Sequence, residues 1–316
     1  MNQLPEISAS VEASVLPTYK IYTKLLEANA SKINSTAETR QTYSYGPHSR
    51  QELDIYTPEN VSDTAPVLLW VHGGGFVMGD KRLSIIPGDL VYANVGHFFA
   101  SQGFISIFIN YRLVLKHDAV FPSGGEDVAL AVEWITKHYA GQKKDLFGVG
   151  NSAGGVHWST FLFHESFSKT LEKVTCGDGV RLRGITLQSA PFDFLKAGSS
   201  RQPVNEAYFG DDVEGRSPHG LMTSAGDSIW QLLTRGGVRI NVVMFELDPI
   251  EIKEPVRRFV EAWNRRLPES GTQELVITEY EGHNHISPYV ALGTGIEREE
   301  AWGFKIVEWM QAVRTG

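Results

Sequence analysis

Near the middle of the chain the apolar run DLFGVG, residues 145–150, passes directly into Asn151-Ser152-Ala153-Gly154 and then into the helix-like stretch GVHWSTFLFHE. Glycines two residues either side of Ser152 make this a G-x-S-x-G pattern at a strand-to-helix turn. A turn that sharp presses neighbouring backbones together until no Cβ fits, so glycine flanks the serine. The hydroxyl then projects at the start of a helix, whose positive end faces developing negative charge. A serine hydroxyl is a poor nucleophile until a base takes its proton and an acid holds that base in the correct tautomer.

Strand order says where those partners belong: the acid after a later strand, the base after the last. Asp248 follows the run INVVMFEL and precedes Pro249, and it is favoured over its rivals Asp193 and Glu246. Two histidines, His283 and His285, share the segment EGHNHIS behind the apolar run ELVITEY. One is expected to reach Ser152, the other to line the rim or bond a backbone group. His48, His97, His117, His138, His164 and His219 read as ordinary surface or core residues.

Attack on an acyl carbon places negative charge on the carbonyl oxygen, and preorganised backbone N–H groups stabilise it. The stretch HGGGF at 72–76 supplies them: the amides of Gly74 and Gly75 are predicted donors, joined by that of Ala153. His72 is read as a structural residue bonding this loop. A phosphate loop would need G-x-x-x-x-G-K-[ST], and a dinucleotide site G-x-G-x-x-G opening a helix; the chain has neither.

Positioning such a site takes a sheet. Short apolar runs predict eight strands near 41–46, 51–56, 67–72, 104–109, 145–150, 183–188, 238–245 and 274–279. Between them, 88–101, 126–139, 153–167, 252–266 and 299–313 carry helical spacing; Val128, Ala131, Val132, Ile135 and Tyr139 fall on one face. The alternation predicts an α/β fold, a mostly parallel sheet with helices on both faces. Residues 9–32 and 191–236 do not fit it, and a structureless loop as long as the second is improbable, so both are assigned to a helical cap. Phe76, Val77, His157, Trp158, Tyr208, Phe209 and Met222 are candidate pocket walls, which favours a bulky apolar or aromatic substrate. Arg112 and Asp127 read as a structural pair tying loop to helix.

Composition narrows the function class. The 316 residues are 42% hydrophobic with net charge -8 and no basic block, which argues against nucleic acid or an anionic membrane surface as partner. No apolar stretch reaches membrane-spanning length and the start lacks a signal-peptide pattern. The lone Cys176 rules out an internal disulfide and fits a reducing compartment, so a cytoplasmic protein is expected. Nothing calls for a metal or cofactor. A homodimer, the commonest homo-oligomer, is the default assembly.

HGGGF at 72–76, GNSAGG at 150–155, ELDP at 246–249 and GHNHIS at 282–287 are, in order and spacing, similar to the α/β-hydrolase superfamily, and YGPHSRQELDIYTPE resembles the opening strands of arylformamidases and small acyl esterases. Within the superfamily the chain resembles the hormone-sensitive-lipase and arylformamidase-like esterase branch over roughly residues 40 to 313. The resemblance implies a single α/β-hydrolase domain over 1–316, an eight-stranded sheet, a cap partly from the N-terminus, and a Ser-Asp-His triad needing no metal. Relatives commonly place an apolar residue after the catalytic histidine, as Ile286 follows His285, which favours His285 over His283. Asn151 stands where Asp or His is usual, and the third glycine of HGGGF departs from the arylformamidase form. The implied activity is a serine esterase with Ser152, Asp248 and His285 as triad, cleaving a carboxylic ester, a lactone or an acyl ester of a small apolar or aromatic metabolite. An arylformamidase or amidase using the same machinery is one alternative. A non-hydrolytic catalyst or small-molecule binding protein on this fold is another, though binding proteins of this kind tend to lack the histidine.

Overall fold

Side chains on a strand alternate between its faces, and here both faces are apolar. In β3 (Val67–Val71), Val67, Leu69 and Val71 enter one core while Leu68 and Trp70 enter the other. The computed structural model describes residues 2–7 and 10–316. Its sheet also contains β1 (Gln41–Ser44), β2 (Glu52–Tyr56), β4 (Ile105–Ile109), β5 (Asp145–Asn151), β6 (Arg181–Gln188), β7 (Arg239–Leu247) and β8 (Ile277–Asn284). They pair in the order β1-β2-β4-β3-β5-β6-β7-β8. The ladders β1–β2 and β2–β4 are antiparallel and the remaining five parallel. The fold is therefore the mostly parallel, eight-stranded α/β arrangement expected. β8 runs further than 274–279 because its polar end still pairs, Asn284 lying opposite Leu247.

The helices divide between the two faces. α4 (Ser123–His138), α5 (Ala153–Phe163), α6 (Ser168–Cys176), α8 (Pro218–Ser224), α9 (Asp227–Gly236) and α10 (Ile250–Ser270) pack through Val128, Trp158, Leu171, Met222, Trp230 and Phe259. On the other face α1 (Val11–Ala28), α2 (Ala30–Ala37), α3 (Leu90–Ser101), α11 (Ser287–Ala291) and α12 (Glu297–Thr315) pack through Leu26, Ile33, Phe99, Tyr289 and Trp302. The short, weakly apolar helix α6 did not stand out in the sequence. Arg112 and Asp127 pair at 2.8 Å, with Gln51 Nε2 donating to the same carboxylate at 2.6 Å. Loop and helix are tied there.

The two segments assigned to a cap behave differently. Ala9, the first residue of 9–32, lies outside the described residues; the rest forms α1 and the start of α2, which break at Asn29. The Asn29 side chain donates to the carbonyls of Leu25 and Thr294 at 3.0 and 2.8 Å. Residues 191–236 contain α7 (Gln202–Phe209), α8 and α9 and no strand. Of these, α8 and α9 join the flanking helix layer, whereas the stretch through α7 meets the HGGGF loop. No helix among the described residues is long and apolar enough to cross a membrane.

Candidate active site

β5 ends at Asn151, and Ser152 turns the chain into α5 with φ 52° and ψ -118°, a conformation that side chains rarely adopt. Holding a non-glycine residue there costs on the order of 1–3 kcal/mol, so the surroundings must over-determine it. They do: Ser152 N donates to Gln188 O at 2.8 Å, and Gly155 N donates to Ser152 O at 2.9 Å. The flanking glycines have the steric reason expected of them. A Cβ on Gly154 would lie 2.0 Å from the Val71 carbonyl oxygen, and one on Gly150 would lie 2.6 Å from the backbone of Gly154.

Three strand ends converge on this turn. His285 Nε2 lies 3.0 Å from Ser152 Oγ, and its Nδ1 lies 2.8 Å from Asp248 Oδ1. A carboxylate only accepts, so the proton sits on Nδ1 and the Nε2 lone pair faces the hydroxyl. The other oxygen, Asp248 Oδ2, accepts from Phe245 N at 2.8 Å and from Ser189 Oγ at 2.6 Å. Asp248 and His285 are buried while Ser152 is partly exposed, so the chain of hydrogen bonds opens to solvent only at its reactive end. The two rivals of Asp248 are otherwise engaged. Asp193 holds Arg258 in a two-pronged ion pair at 2.7 Å, and Glu246 accepts from Gly282 N at 2.7 Å.

A short turn selects between the two histidines. Asn284 Oδ1 accepts from the amides of Ile286 and Ser287 at 3.0 and 2.9 Å, folding the loop back so that His285 faces Ser152. Asn284 Nδ2 donates to Thr18 Oγ1 at 2.8 Å, which fastens the loop to α1. His283 points the other way, into the core, with Nδ1 2.9 Å from Ser287 Oγ. It is buried rather than at the rim; burial pushes its pKa down to about 4, against a backbone hydrogen bond at Glu299 that opposes the shift, so of the two expected roles it takes the backbone bond.

The HGGGF loop lies beside the serine: a Cβ on Gly73 would come 3.2 Å from Ser152 Cβ. In a trans peptide the N–H points opposite the preceding C=O, so pinning a carbonyl aims the next amide. Gly73 O is held by His72 Nδ1 at 2.6 Å and by Tyr111 Oη at 3.2 Å; Gly74 O accepts from Met78 N at 3.1 Å. The amides of Gly74 and Gly75 are thereby turned away from these partners. Among the described residues, neither they nor the amide of Ala153 donate to a protein acceptor. Gly74 and Gly75 have φ of 124° and 56°, values that suit residues without a Cβ. His72 is buried, stacked on Tyr111 at 4.4 Å, with its pKa lowered to about 4 by burial.

The candidate pocket residues separate into two groups. Phe76 stacks on Tyr208 at 5.0 Å and meets Phe209 edge-on at 5.7 Å, with His157 at 5.6 Å and half-buried Val77 packed beside them. This cluster adjoins Ala153, and of these residues only Val77 keeps appreciable surface, Phe76, His157, Tyr208 and Phe209 being buried. Trp158 and Met222 sit in the central core and are fully buried, Trp158 lying on the sheet where a Cβ on Gly148 of β5 would come 2.6 Å from its ring. Ser189 and Arg201 were not singled out in the sequence. Ser189 follows the end of β6, and only its left-handed φ of 46° marks it; Arg201 donates from Nη2 to Gly75 O at 2.8 Å.

Comparison with known proteins agrees with this architecture. The bile salt-activated lipase of Homo sapiens is 26% identical over 187 residues, 54% of this chain and 25% of the lipase. Esterase LipI of Mycobacterium tuberculosis is 36% identical over 116 residues, 35% of this chain and 33% of that protein. The matched stretches thus span a quarter to a third of these relatives. A Pyrobaculum calidifontis esterase superposes with a TM-score of 0.61 at 16% identity, covering 95% of this chain and 94% of the other. Brefeldin A esterase, a bacterial homologue of human hormone-sensitive lipase, gives 0.60 at 17% identity over 93% and 87%. These likenesses establish the α/β-hydrolase fold. Residues 53–215, just over half of the chain, match the BD-FAE family model, and the chain belongs to the BD-FAE family.

Proposed function

We propose that this protein is a carboxylic ester hydrolase working through an acyl-enzyme on Ser152. The observation that carries the reading is the unbroken relay from Asp248 through His285 to Ser152 Oγ, at 2.8 and 3.0 Å, opposite three uncommitted amides. The sequence relatives, a lipase and an esterase, support the same chemistry. Ser152 Oγ attacks the ester carbonyl carbon and its proton passes to His285 Nε2. Asp248 stabilises the resulting imidazolium, and the amides of Gly74, Gly75 and Ala153 hold the oxyanion. Collapse breaks the bond to the alkoxide, which leaves as the alcohol with the proton from His285. Water then repeats the sequence on the acyl-enzyme and restores Ser152. The substrate is a small molecule with an apolar or aromatic body that packs beside Val77, the half-buried neighbour of the Phe76, Tyr208 and Phe209 cluster. α1 and the stretch from 191 through α7 serve as its cap.

Labelling with a fluorophosphonate probe and mapping the modified peptide tests this. Modification at Ser152 is expected, absent from Ser152→Ala and strongly slowed in His285→Gln. Folded protein that takes no label, or takes it at another residue, overturns the assignment.

A further inference from the structure

Half-buried arginines in this molecule generally come with a carboxylate. Arg50 pairs with Asp80, Arg82 with Asp54, Arg112 with Asp127 and Glu126, and Arg258 with Asp193. Arg201 is the same kind of residue without that partner. It sits just ahead of α7, partly exposed, and among the described residues no carboxylate comes within ion-pair distance of it. Its one side-chain hydrogen bond runs from Nη2 to the Gly75 carbonyl at 2.8 Å. One such bond engages one of the five N–H donors of a guanidinium, leaving most of its fork uncommitted.

Its location gives that fork a purpose. A Cβ on Gly75 would lie 2.4 Å from Nη2, so the guanidinium lies flat against the glycine assigned above to the oxyanion loop. From backbone geometry, Nη2 is then no more than about 5 Å from the Gly75 nitrogen. With an oxyanion about 3 Å from its donor, the cation is within about 8 Å of the reacting oxygen. Ser152, Gly74, Gly75 and Arg201 are all partly exposed, whereas His72, Gly73, Phe76 and Ala153 around them are buried. Nucleophile, oxyanion loop and cation thus each keep some surface.

We propose that Arg201 is a specificity residue which binds a carboxylate carried a few bonds from the scissile carbonyl of the substrate. The proposal rests on the esterase reading above and narrows its substrate class. A planar guanidinium matches a carboxylate with two parallel hydrogen bonds, and partial burial of the cation strengthens the pair. Burial lowers the Arg201 pKa, and Glu12 and Glu251 are near enough to oppose that shift without pairing, so the cation is held charged and open.

The test uses two matched pairs of substrates followed by pH-stat with the full chain. Ethyl hydrogen succinate is compared with ethyl levulinate for a carboxylate on the acyl side, and 3-acetoxypropanoate with 4-acetoxybutan-2-one for one on the alcohol side. Each pair differs by a carboxylate against a methyl ketone of the same shape. The charged-to-neutral ratio of kcat/KM is expected to fall at least tenfold in Arg201→Gln for at least one pair, with Arg201→Lys retaining part of it. Ratios that change less than threefold for both pairs overturn the proposal, including the case in which both members slow equally because Arg201 merely braces the Gly75 loop. Failure of the esterase reading looks different: no ester of either pair is cleaved and Ser152 takes no label.

Discussion

His285 and His157 are both buried imidazoles beside the same strand-to-helix turn, in opposite surroundings. His285 has a carboxylate on Nδ1 and the serine hydroxyl on Nε2. His157, five residues along α5, is packed between Phe76 and Tyr111; Nδ1 lies 3.5 Å from Tyr208 Oη, and Nε2 has no partner among the described residues. Burial with no acid nearby, aided by the neighbouring His72, pushes the His157 pKa down to about 3 and keeps it neutral. The contrast teaches that enclosure silences an imidazole, and that a fixed carboxylate is what turns one into a base. Bringing that carboxylate to His285 takes the ends of β7 and β8 side by side, something α5 alone cannot arrange.

The sharpest way to break the contrast is Asp248→Asn. Oδ2 faces two donors, Phe245 N–H and Ser189 O–H, so the amide nitrogen cannot occupy that position without a clash of donors. It turns to His285 instead, forcing the proton onto Nε2, where the ring no longer accepts from Ser152. A loss in kcat on the order of 10⁴-fold is expected, with the protein still folded. Steady-state kinetics giving less than a tenfold loss would show that the carboxylate does not create the base.

The silent side is tested by pH. Unfolded, His157 titrates near the ordinary 6.5; folded, it stays neutral down to about 3. Between those values the unfolded chain binds more protons, so the folded state is fully favoured above pH 6.5 and loses stability as pH falls towards 3. Between pH 7.5 and 5 this one residue accounts for about 2 kcal/mol. Urea denaturation of His157→Asn is expected to show a pH dependence flatter than that of the parent by that amount. Parallel curves would mean that His157 is already protonated, or relieved of its burial, in the native protein.

Ser189→Ala gives the smallest effect and probes the middle of the comparison, the support behind the carboxylate. Asp248 loses a 2.6 Å hydrogen bond but keeps Phe245 N–H. A charge-assisted bond of this kind is worth about 1.5 kcal/mol, or roughly tenfold in kcat, with KM little changed. An unchanged kcat would leave Phe245 N–H as the sole effective anchor.

Much of this was legible in local sequence, for reasons that differ by residue. Gly150, Ser152 and Gly154 are close in the chain and obey one steric rule, so their pattern names the turn without any knowledge of the fold. Asp248 could be ranked above Asp193 because a proline ended its strand, although the decisive fact, that Arg258 occupies Asp193, belongs to packing. His283 and His285 are two residues apart in a polar stretch that also hides the end of β8. Periodicity cannot separate them; the turn made by Asn284 does. Trp158 and Met222, like Phe76, His157, Tyr208 and Phe209, read as pocket walls and are buried, because an apolar residue carries no mark of which face it will present.

The positions of the strands along the chain, the serine turn and the glycine loop were thus settled by the amino-acid sequence alone, since each depends on steric limits and apolar spacing within a few residues. The pairing of Asp248 with Ser189, the inward turn of His283 and the approach of Arg201 to Gly75 were decided only by the tertiary structure. Each joins segments more than fifty residues apart or depends on a side chain's direction, and short-range propensity carries no information about which distant loops the sheet will bring to one edge.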